Sequence, residues 1–521
     1  MRRLRAIGSV ILMGAAAWSA VWLLQRAVRG VDRSAQDGQR LLDGVMFRVR
    51  ESYVEPVDEE RLWELAAIGL LDELGDPNSA YLTPDRLERL ERTASNSYVG
   101  VGLQVDVRDG WVTVTAARAG SPAERVGLQP GDRLVEVDGR SMRGWTVDEA
   151  RLAFRGPPGS TVALAVERGG GGAGTRLQVT LERAEILNRA VARATVLDGG
   201  VGFLAVTTFS DSTESELVST VDSLRRAGAR SLILDLRNNP GGLLAQGVRV
   251  ADLFLAPSQR IVSTRGRVEQ ANTVYVDSTP ERWPDLPLAV LVNHNTASAA
   301  EIVAGALQDH DRALVIGRAT YGKGSAQAIY RLENGAAVSL TNARWETPLG
   351  RSIEYPLPDE QPLADADTAR PRFRTKLGRT VFGGGGIVPD VVAGDSVAEA
   401  AERRFYAELG TKVPDFRAQV RELATALVRE GAARDSLFAV APAWRERLYR
   451  QMERNGVLVS IVTFGEVRAL VDRSLGNEMA RQAFGPPYQQ RRAARLDPVV
   501  QRAAESLRRA RTAREVFASE E

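Results

Sequence analysis

The segment between Gly200 and Val392 alternates short apolar runs with amphipathic stretches, and this alternation constrains the fold more than any other feature. Short apolar runs are typical of buried strands, whereas apolar residues that recur every three or four positions predict helices. The predicted strands are Val201–Val206, Leu232–Leu236, Leu288–Val292 and Leu314–Ile316, and the predicted helices are Glu214–Arg226, Leu243–Leu255 and Ser298–Gln308. Strands and helices in this order predict an α/β core.

Regions of different character flank this core, and the 521 residues are enough for several domains. Leu41–Thr93 has helical spacing, Ser97–Arg183 has strand-like runs broken by Gly and Pro, and the chain beyond Ser396 has helical spacing again. The predicted strands of the β-rich region include Trp111–Ala116, Arg133–Val137 and Thr161–Val166, with a hairpin loop at Gly169–Gly174. The predicted domains are 1–30, an anchor; 31–96, a helical segment; 97–185, a β-rich domain; 186–395, the α/β core; and 396–521, a helical domain.

The N-terminus resembles a membrane anchor. Arg2, Arg3 and Arg5 precede the uncharged run Ala6–Leu24, whose 19 residues are long enough to span a bilayer. The alternative is a cleaved signal peptide, for which the small residues Ala15–Ala17 offer a cleavage site. We therefore expect a membrane-anchored protein with the rest of the chain on the extracytoplasmic, periplasmic side, or a secreted protein if the segment is cleaved.

The composition excludes several kinds of chemistry. The chain has 68 Lys and Arg against 66 Asp and Glu, and the basic residues are dispersed, so no nucleic-acid partner is expected. Cysteine is absent, which excludes disulfides, thiolate nucleophiles and Cys-ligated metals. Histidine occurs only at His294 and His310, so a multi-His metal site is not expected either. We predict no metal and no cofactor.

Ser298 is the first candidate for a reactive group. It follows the predicted strand Leu288–Val292 and begins an Ala-rich predicted helix. The N–H groups at a helix N-terminus are unpaired and carry partial positive charge, so an oxyanion that develops beside Ser298 would find donors there. The alternative is that Ser298 or Thr296 only caps the helix.

Lys323 is the candidate base. Lysine occurs only at Lys323, Lys376 and Lys412, whereas 65 residues are arginine, which cannot lose its proton in a protein. A buried lysine can be deprotonated, because desolvation lowers its pKa. The alternatives are that Lys323 is a surface loop residue and that His294 is the base. His294 is better interpreted as a turn residue, and His310 as a helix C-cap.

The stretch Gly317–Lys323 also has the spacing of a nucleotide-binding P-loop, which would place the chain in another functional class. Gly324 stands where that motif needs Ser or Thr, and Ala326–Leu332 is predicted to be a strand rather than a helix. The P-loop interpretation is therefore rejected.

A third segment combines a strand end with paired glycines. Leu234–Asn239 is followed by Pro240, Gly241 and Gly242. Such glycines let a backbone approach a reacting carbonyl closely and direct N–H groups at it. A tight turn alone would also account for them.

Together these segments resemble the carboxyl-terminal processing peptidases, the tail-specific serine proteases of family S41 that carry a PDZ domain. The segments that carry the resemblance are Leu236–Gly242, Ala297–Ile302, Gly322–Gln327 and Gly386–Asp390. The resemblance implies a multidomain α/β protein with a crotonase-like protease core, a PDZ domain over 97–185 and helical N- and C-terminal segments. Thr296 and Ala300 depart from the serines that are usual at those positions.

The resemblance also implies roles. Ser298 would be the nucleophile, Lys323 the base and Gln327 the residue that orients the lysine. The oxyanion hole would come from the N–H of Ala299 and that of Gly241 or Gly242.

The β-rich region resembles a PDZ domain. Tyr98–Leu103 is similar to a PDZ carboxylate-binding loop, and Gly120–Asp132 is similar to the stretch that follows it. The resemblance implies that a substrate C-terminus binds at Gly100, Val101, Gly102 and Leu103, while the helix near Val147–Phe154 lines an apolar pocket. The alternative is a Gly-rich turn in an ordinary β-domain.

We therefore expect a serine endopeptidase that cleaves proteins near their C-terminal tails, with tail binding by the PDZ domain gating turnover. Its expected partners are proteins or peptides with free C-termini, the membrane through the N-terminal anchor, and further copies of the chain through the helical ends. The alternative is a catalytically weak PDZ adaptor at the membrane.

Overall fold

The structure is a computed structural model that describes residues 37–94, 96–108, 110–118, 120–168, 174–354, 370–394, 396–435 and 437–518. The chain separates into two compact units. One unit comprises the residues up to Thr83 together with Ala328–Leu340, and the other comprises Pro84–Gln327 and Thr341–Glu521. The domain boundaries predicted from the sequence stay predictions.

The predicted membrane location needs correction. In the part of the chain that the structure describes, no helix is both long and apolar enough to cross a bilayer. The longest helices with defined ends, Val413–Arg429 and Arg468–Phe484, have 17 residues each and carry several charges. The predicted span Ala6–Leu24 lies outside the described residues. The membrane-anchored, extracytoplasmic location is therefore withdrawn.

The first unit contains helices α1 (37–52) and α2 (Glu59–Asp72) and strand β1 (Ala80–Leu82). β1 pairs antiparallel with residues 337–339, and Leu71, Tyr81 and Ala336 form a small buried cluster. The sequence predicted helix and turns throughout this region. The structure differs at β1, because a strand of three residues is stabilised by its distant partner rather than by local spacing.

The second unit is built on a six-stranded sheet in the order β10-β11-β12-β15-β16-β21, which is parallel except for β10. The strands are β10 (Val191–Leu197), β11 (Val201–Val206), β12 (Ser231–Asp235), β15 (Leu288–Val292), β16 (Leu314–Gly317) and β21 (Val391–Val392). Strands β11, β12, β15 and β16 are buried along their length, as expected for a sheet that is covered on both faces.

Helices cover both faces of this sheet. On one face lie α6 (Thr213–Arg226), α7 (Leu244–Asp252) and α8 (Ala299–Asp309), and on the other α15 (Pro498–Arg509) and α16 (Glu515–Ala518). Successive strand residues alternate between the two cores: Leu232 and Leu234 face α6–α8, and Ile233 faces α15. All residues of α8 are buried.

The β-rich region forms its own sheet, in the order β3-β4-β5-β7-β8 with β6 beside β5. The strands are β3 (Leu103–Arg108), β4 (Trp111–Ala117), β5 (Arg133–Val137), β6 (Arg140–Ser141), β7 (Thr161–Arg168) and β8 (Thr175–Glu182). Two short helices, α4 (Pro122–Arg125) and α5 (Val147–Phe154), accompany it. Thr146 and Glu149 form a capping box that fixes the start of α5. The two connections of the region pair as a ribbon of β2 (Ser97–Gly100) and β9 (Ala184–Leu187).

The remaining elements complete the chain. They are α3 (Pro84–Ala94), β13 (Arg260–Gly266), a 3₁₀ turn (Glu269–Ala271), β14 (Thr273–Val276), β17 (Ser325–Arg331), β18 (Ala337–Glu346), β19 (Arg372–Arg374), β20 (Thr380–Phe382), α9 (Ser396–Leu409), a 3₁₀ turn (Gly410–Lys412), α10 (Val413–Arg429), α11 (Pro442–Arg454), α12 (Ile461–Glu466), α13 (Arg468–Phe484) and α14 (Pro486–Arg495). Helices α9–α13 share one core. The predicted C-terminal helices are confirmed, but α15 and α16 belong to the α/β sheet and not to that core.

The buried carboxyl group of Asp277 gives a testable pH dependence. Burial and the neighbouring carboxylate of Asp252 raise the pKa of Asp277 to about 6. A raised pKa means that the stability contributed by Asp277 is fully present below about pH 4 and is lost as the pH rises through 6. We expect Asp277→Asn to raise the Tm at pH 7.5 by clearly more than at pH 4.5. Equal changes at the two pH values would contradict this.

Candidate active site

Ser298 lies on a strained turn between β15 and α8. Its backbone has φ 54° and ψ −119°, a conformation that non-glycine residues rarely adopt. Strain of this kind persists only where the surroundings hold it, and a strained turn from strand to helix is a known way to expose a nucleophilic serine. The sequence predicted the strand and the helix, but not the strain.

Glu301 links the Ser298 turn to the lysine segment. Its side chain is completely buried. Oε2 accepts hydrogen bonds from the N–H of Ser298 at 2.8 Å and from the N–H of Lys323 at 3.0 Å. Oε1 accepts from the Thr320 hydroxyl at 2.5 Å and from the Gly322 N–H at 2.7 Å. One carboxylate therefore holds the backbones of the predicted nucleophile and the predicted base.

The charge state of Glu301 follows from these partners. Burial raises the pKa of Glu301 above its ordinary value, and the four hydrogen bonds oppose that rise. The Thr320 hydroxyl accepts from the Ile387 N–H, so it donates its own proton to Glu301. Because both carboxyl oxygens face donors only, the ionised form is the one that satisfies the site.

The lysine segment is fixed from further directions. The carbonyl of Lys323 accepts from the indole N–H of Trp345 at 3.1 Å, and the N–H of Tyr321 donates to the Thr296 carbonyl at 2.9 Å. Gly386 lies so close to the Thr320 carbonyl that a Cβ there would collide with it. The segment Gly386–Asp390, noted in the sequence, therefore packs against the lysine segment. Lys323 itself is partly buried.

The two glycines of the Leu236–Gly242 turn differ in their roles. A Cβ on Gly241 would lie 2.8 Å from the Cβ of Ser298, so only glycine fits there. The Gly241 N–H already donates to Asn239 Oδ1 at 2.8 Å. Among the described residues, the N–H groups of Gly242 and Ala299 have no protein acceptor. Of the two glycines left open by the sequence, Gly242 has the available donor.

Asparagine and threonine side chains join this turn to the Ser298 turn. Asn293 accepts from the Asn238 N–H at 2.9 Å, and Asn238 Oδ1 accepts from the amides of Asn293 and Asn295. The Thr296 hydroxyl donates to the Leu236 carbonyl at 2.8 Å. Thr296 therefore makes a structural contact at the position where the resemblance implied a serine.

An ion pair anchors the start of the Leu236–Gly242 turn, which we call the glycine turn. Arg237 binds Asp235 through two nitrogens, at 2.8 and 2.7 Å. Burial lowers the pKa of Arg237, but the carboxylates of Asp235 and Asp497 raise it well above its ordinary value. Arg237 therefore stays charged.

The other predicted positions are placed as follows. The Gln327 amide nitrogen donates to the hydroxyls of Ser325 and Thr341, at 3.0 and 3.1 Å. His294 lies exposed in the turn after β15, and His310 is the C-cap residue of α8, as predicted. Strand β17 follows Lys323 directly, which confirms the rejection of a P-loop.

The predicted carboxylate loop lies at the edge strand β3. The carbonyl of Val101 accepts from the Ala123 N–H, and the carbonyl of Gly102 accepts from the Arg118 N–H. Among the described residues, the N–H groups of Val101 and Gly102 have no protein acceptor. Gly102 has φ +78°, and a Cβ there would collide with Ser121. The loop thus has consecutive N–H groups without a protein acceptor beside the edge strand β3, which begins at Leu103.

Sequence reasoning missed the roles of Glu301, Asn239 and Arg237. Glu301 had been noted only as part of a motif, and its place three residues after a helix-starting serine could have indicated a capping interaction. Asn239 and Arg237 matched no such capping pattern: each has one partner two residues away, Gly241 and Asp235, and one partner distant in the sequence, Val206 and Asp497.

Comparisons with known proteins identify the family of the chain. The model of peptidase family S41 matches residues 200–361, and a PDZ domain model matches residues 113–168. The carboxy-terminal processing protease CtpA of Bacillus subtilis is 32% identical over 383 residues, which cover 70% of this chain and 81% of that protein. The chain belongs to the S41 family of carboxyl-terminal processing proteases.

A second relative among the curated proteins agrees with this. A probable CtpA-like serine protease of Staphylococcus aureus is 30% identical over 348 residues, covering 67% of this S41 protease and 69% of that protein. The solved structure of a photosystem II D1 C-terminal processing protease is 29% identical, covers 68% of this chain and 87% of that chain, and has a TM-score of 0.37. The predicted S41 family, PDZ domain and protease class are confirmed, and the adaptor alternative is not favoured.

The Glu301 contacts give a second prediction. Glu301→Gln keeps the size of the side chain but turns an amide NH₂ toward two donors. A buried donor without an acceptor costs about 1–3 kcal/mol. We expect kcat/KM on a peptide substrate to fall on the order of 10²-fold, with a lower Tm.

Glu281→Gln is the matched control. Glu281 is also largely buried and pairs with Arg312 at 2.5 Å, apart from the Ser298 segment. That variant should lose stability while its kcat/KM stays within about threefold. If the two variants lost activity in equal measure, Glu301 would have no special link to the reaction.

Proposed function

We propose that this S41 protease is an endopeptidase with a Ser298–Lys323 dyad that cleaves proteins near their free C-terminal tails. The observation that carries the proposal is that the N–H groups of Ser298 and Lys323 donate to the same oxygen of Glu301. This contact keeps two segments that are distant in the sequence beside each other. The sequence offers no better base, because His294 is exposed and His310 caps the far end of α8.

The proposed reaction begins with neutral Lys323 accepting the hydroxyl proton of Ser298. The Ser298 oxygen attacks the scissile carbonyl carbon, and the tetrahedral oxyanion accepts hydrogen bonds from the N–H groups of Ala299 and Gly242. The protonated lysine gives its proton to the leaving amine, and an acyl-enzyme forms. Water, deprotonated by Lys323, then releases the acyl group and restores the serine hydroxyl.

Gln327 is proposed to orient Lys323. Its amide nitrogen already donates to two hydroxyls, which directs the amide carbonyl away from them. That carbonyl is an acceptor suited to an amine donor.

The PDZ domain is proposed to bind the substrate tail. A terminal carboxylate would accept from the unpaired N–H groups of Val101 and Gly102, and the preceding residues would add as a strand to the open edge of β3. Peptides or proteins with free C-termini are therefore the proposed partners. Association of chains through the helical ends stays a prediction.

The dyad is tested by substitution. Ser298→Ala removes the nucleophile, and Lys323→Arg keeps the charge but removes a group that can be deprotonated. We expect both variants to lose about 10³-fold or more in kcat on a peptide with an apolar free C-terminus. Lys412→Arg is the matched control, because Lys412 is exposed and forms a surface ion pair with Asp415. Full cleavage by either active-site variant would refute the dyad.

Tail binding is also proposed to gate turnover. Both connections of the PDZ domain run through the β2–β9 ribbon, and Asp106 of β3 forms an ion pair with Arg421 of α10. A tail that adds to β3 would therefore bind beside a contact that joins the PDZ domain to the C-terminal helices. Such a contact can favour one position of the PDZ domain over another.

A pair of substrates separates gating from passive tethering. The two peptides are identical except that one ends in a free carboxylate and the other in an amide. Gating predicts that amidation lowers kcat about 10-fold even at saturating substrate, because a smaller fraction of the molecules then holds the PDZ domain in the active position. Passive tethering predicts a raised KM with kcat kept. An unchanged kcat would exclude gating.

A further inference from the structure

The carboxylate of Asp497 joins the C-terminal helices to the glycine turn of the active site. Asp497 lies immediately before α15 and is 260 residues from Arg237 in the sequence. Its Oδ1 accepts from Nη1 of Arg237 at 3.2 Å, and its Oδ2 lies 2.9 Å from Nη2. The same Nη2 donates to Asp235 at 2.7 Å, so one guanidinium bridges two carboxylates.

This bridge holds Arg237 in place near the start of the turn that ends at Gly242. The Arg237 side chain is only 17% exposed, and a planar guanidinium held by two carboxylates has one allowed orientation. Asp235 ends β12, which leads directly into the turn, so its contact with Arg237 is local. Asp497 connects the turn to a distant element, because it lies at the start of α15, which packs against the sheet that carries the turn.

We propose that Asp497 is a positioning residue for proteolysis: its charge holds Arg237, and through Arg237 it holds the turn that presents the Gly242 N–H. The inference rests on the proposed function of Ser298 and Gly242. Asp497 contacts no reacting atom, so it acts on the geometry of the oxyanion donors. Its loss should therefore lower kcat and leave KM unchanged.

Asp497 has a second role that must be separated from the first. Its Oδ1 accepts from the N–H groups of Val499 and Val500, at 2.9 and 3.2 Å, and so caps α15. Asparagine caps a helix as well as aspartate does, but it carries no charge. Glutamate keeps the charge but is not among the preferred N-cap residues. The two substitutions therefore remove different roles.

The test compares Asp497→Asn and Asp497→Glu in the full chain with the free-carboxylate peptide. For Asp497→Asn we expect kcat to fall about 10-fold, KM to change less than twofold and the Tm to stay near that of the unmodified protein. For Asp497→Glu we expect kcat within about threefold of the unmodified protein and a lower Tm. An unchanged kcat in Asp497→Asn overturns the proposal, and so does a loss of kcat in both variants that follows their loss of Tm.

Arg495→Gln is the matched control. Arg495 also joins the C-terminal region to the sheet, through an exposed ion pair with Asp198 at 3.0 Å, but it has no contact with the glycine turn. Its kcat should not change. Failure of this proposal can be distinguished from failure of the proposed function. If Ser298→Ala abolishes cleavage while Asp497→Asn cleaves normally, the role of Asp497 is refuted and the proposed function stands.

Discussion

The buried carboxylate of Glu301 is the interaction on which the rest of the active site depends. Ser298 ends one loop and Lys323 lies in another, and α8 and β16 lie between the two loops along the chain. A charge with no exposure to water is stable only when its hydrogen bonds are complete. Glu301 meets that requirement with donors from both loops. The hydrogen bonds that stabilise its charge are therefore the same bonds that hold the two loops together.

The helix that carries Glu301 explains how such a residue can be accommodated. All residues of α8 are buried, and the helix is rich in alanine, so it can pack closely against its neighbours. Its opposite end is equally constrained, because Asp309 forms an ion pair with Arg351 and both side chains are inaccessible. The strained backbone of Ser298 is thus held by a helix that is fixed along its length. The glycine turn is itself held by the contacts of Asn238 with Asn293 and Asn295 and by the ion pair of Arg237.

The sequence predicted the parts of the protein that local patterns determine. The strands Val201–Val206 and Leu288–Val292 occur with the predicted bounds, because their apolar spacing is local, and a helix occurs at Val147–Phe154, where the resemblance to a PDZ domain implied one. Family motifs gave Ser298 and Lys323, which the structure brings into neighbouring loops. What the sequence could not predict depends on distant partners: strand β1, the placement of α15 on the sheet, and the contacts of Glu301 and Asp497. The choice between Gly241 and Gly242 also needed coordinates, because it depends on which N–H the Asn239 side chain occupies.

The central claim, that Glu301 assembles a nucleophilic Ser298, is tested most directly by detecting the acyl-enzyme. The protein is mixed with a p-nitrophenyl ester of a short peptide, quenched in acid and mapped by mass spectrometry. The account predicts one acyl group, on the peptide that contains Ser298, which forms on the order of 10²-fold more slowly in Glu301→Gln. Acylation of another residue, or acylation of Ser298 at the same rate in both proteins, would contradict it.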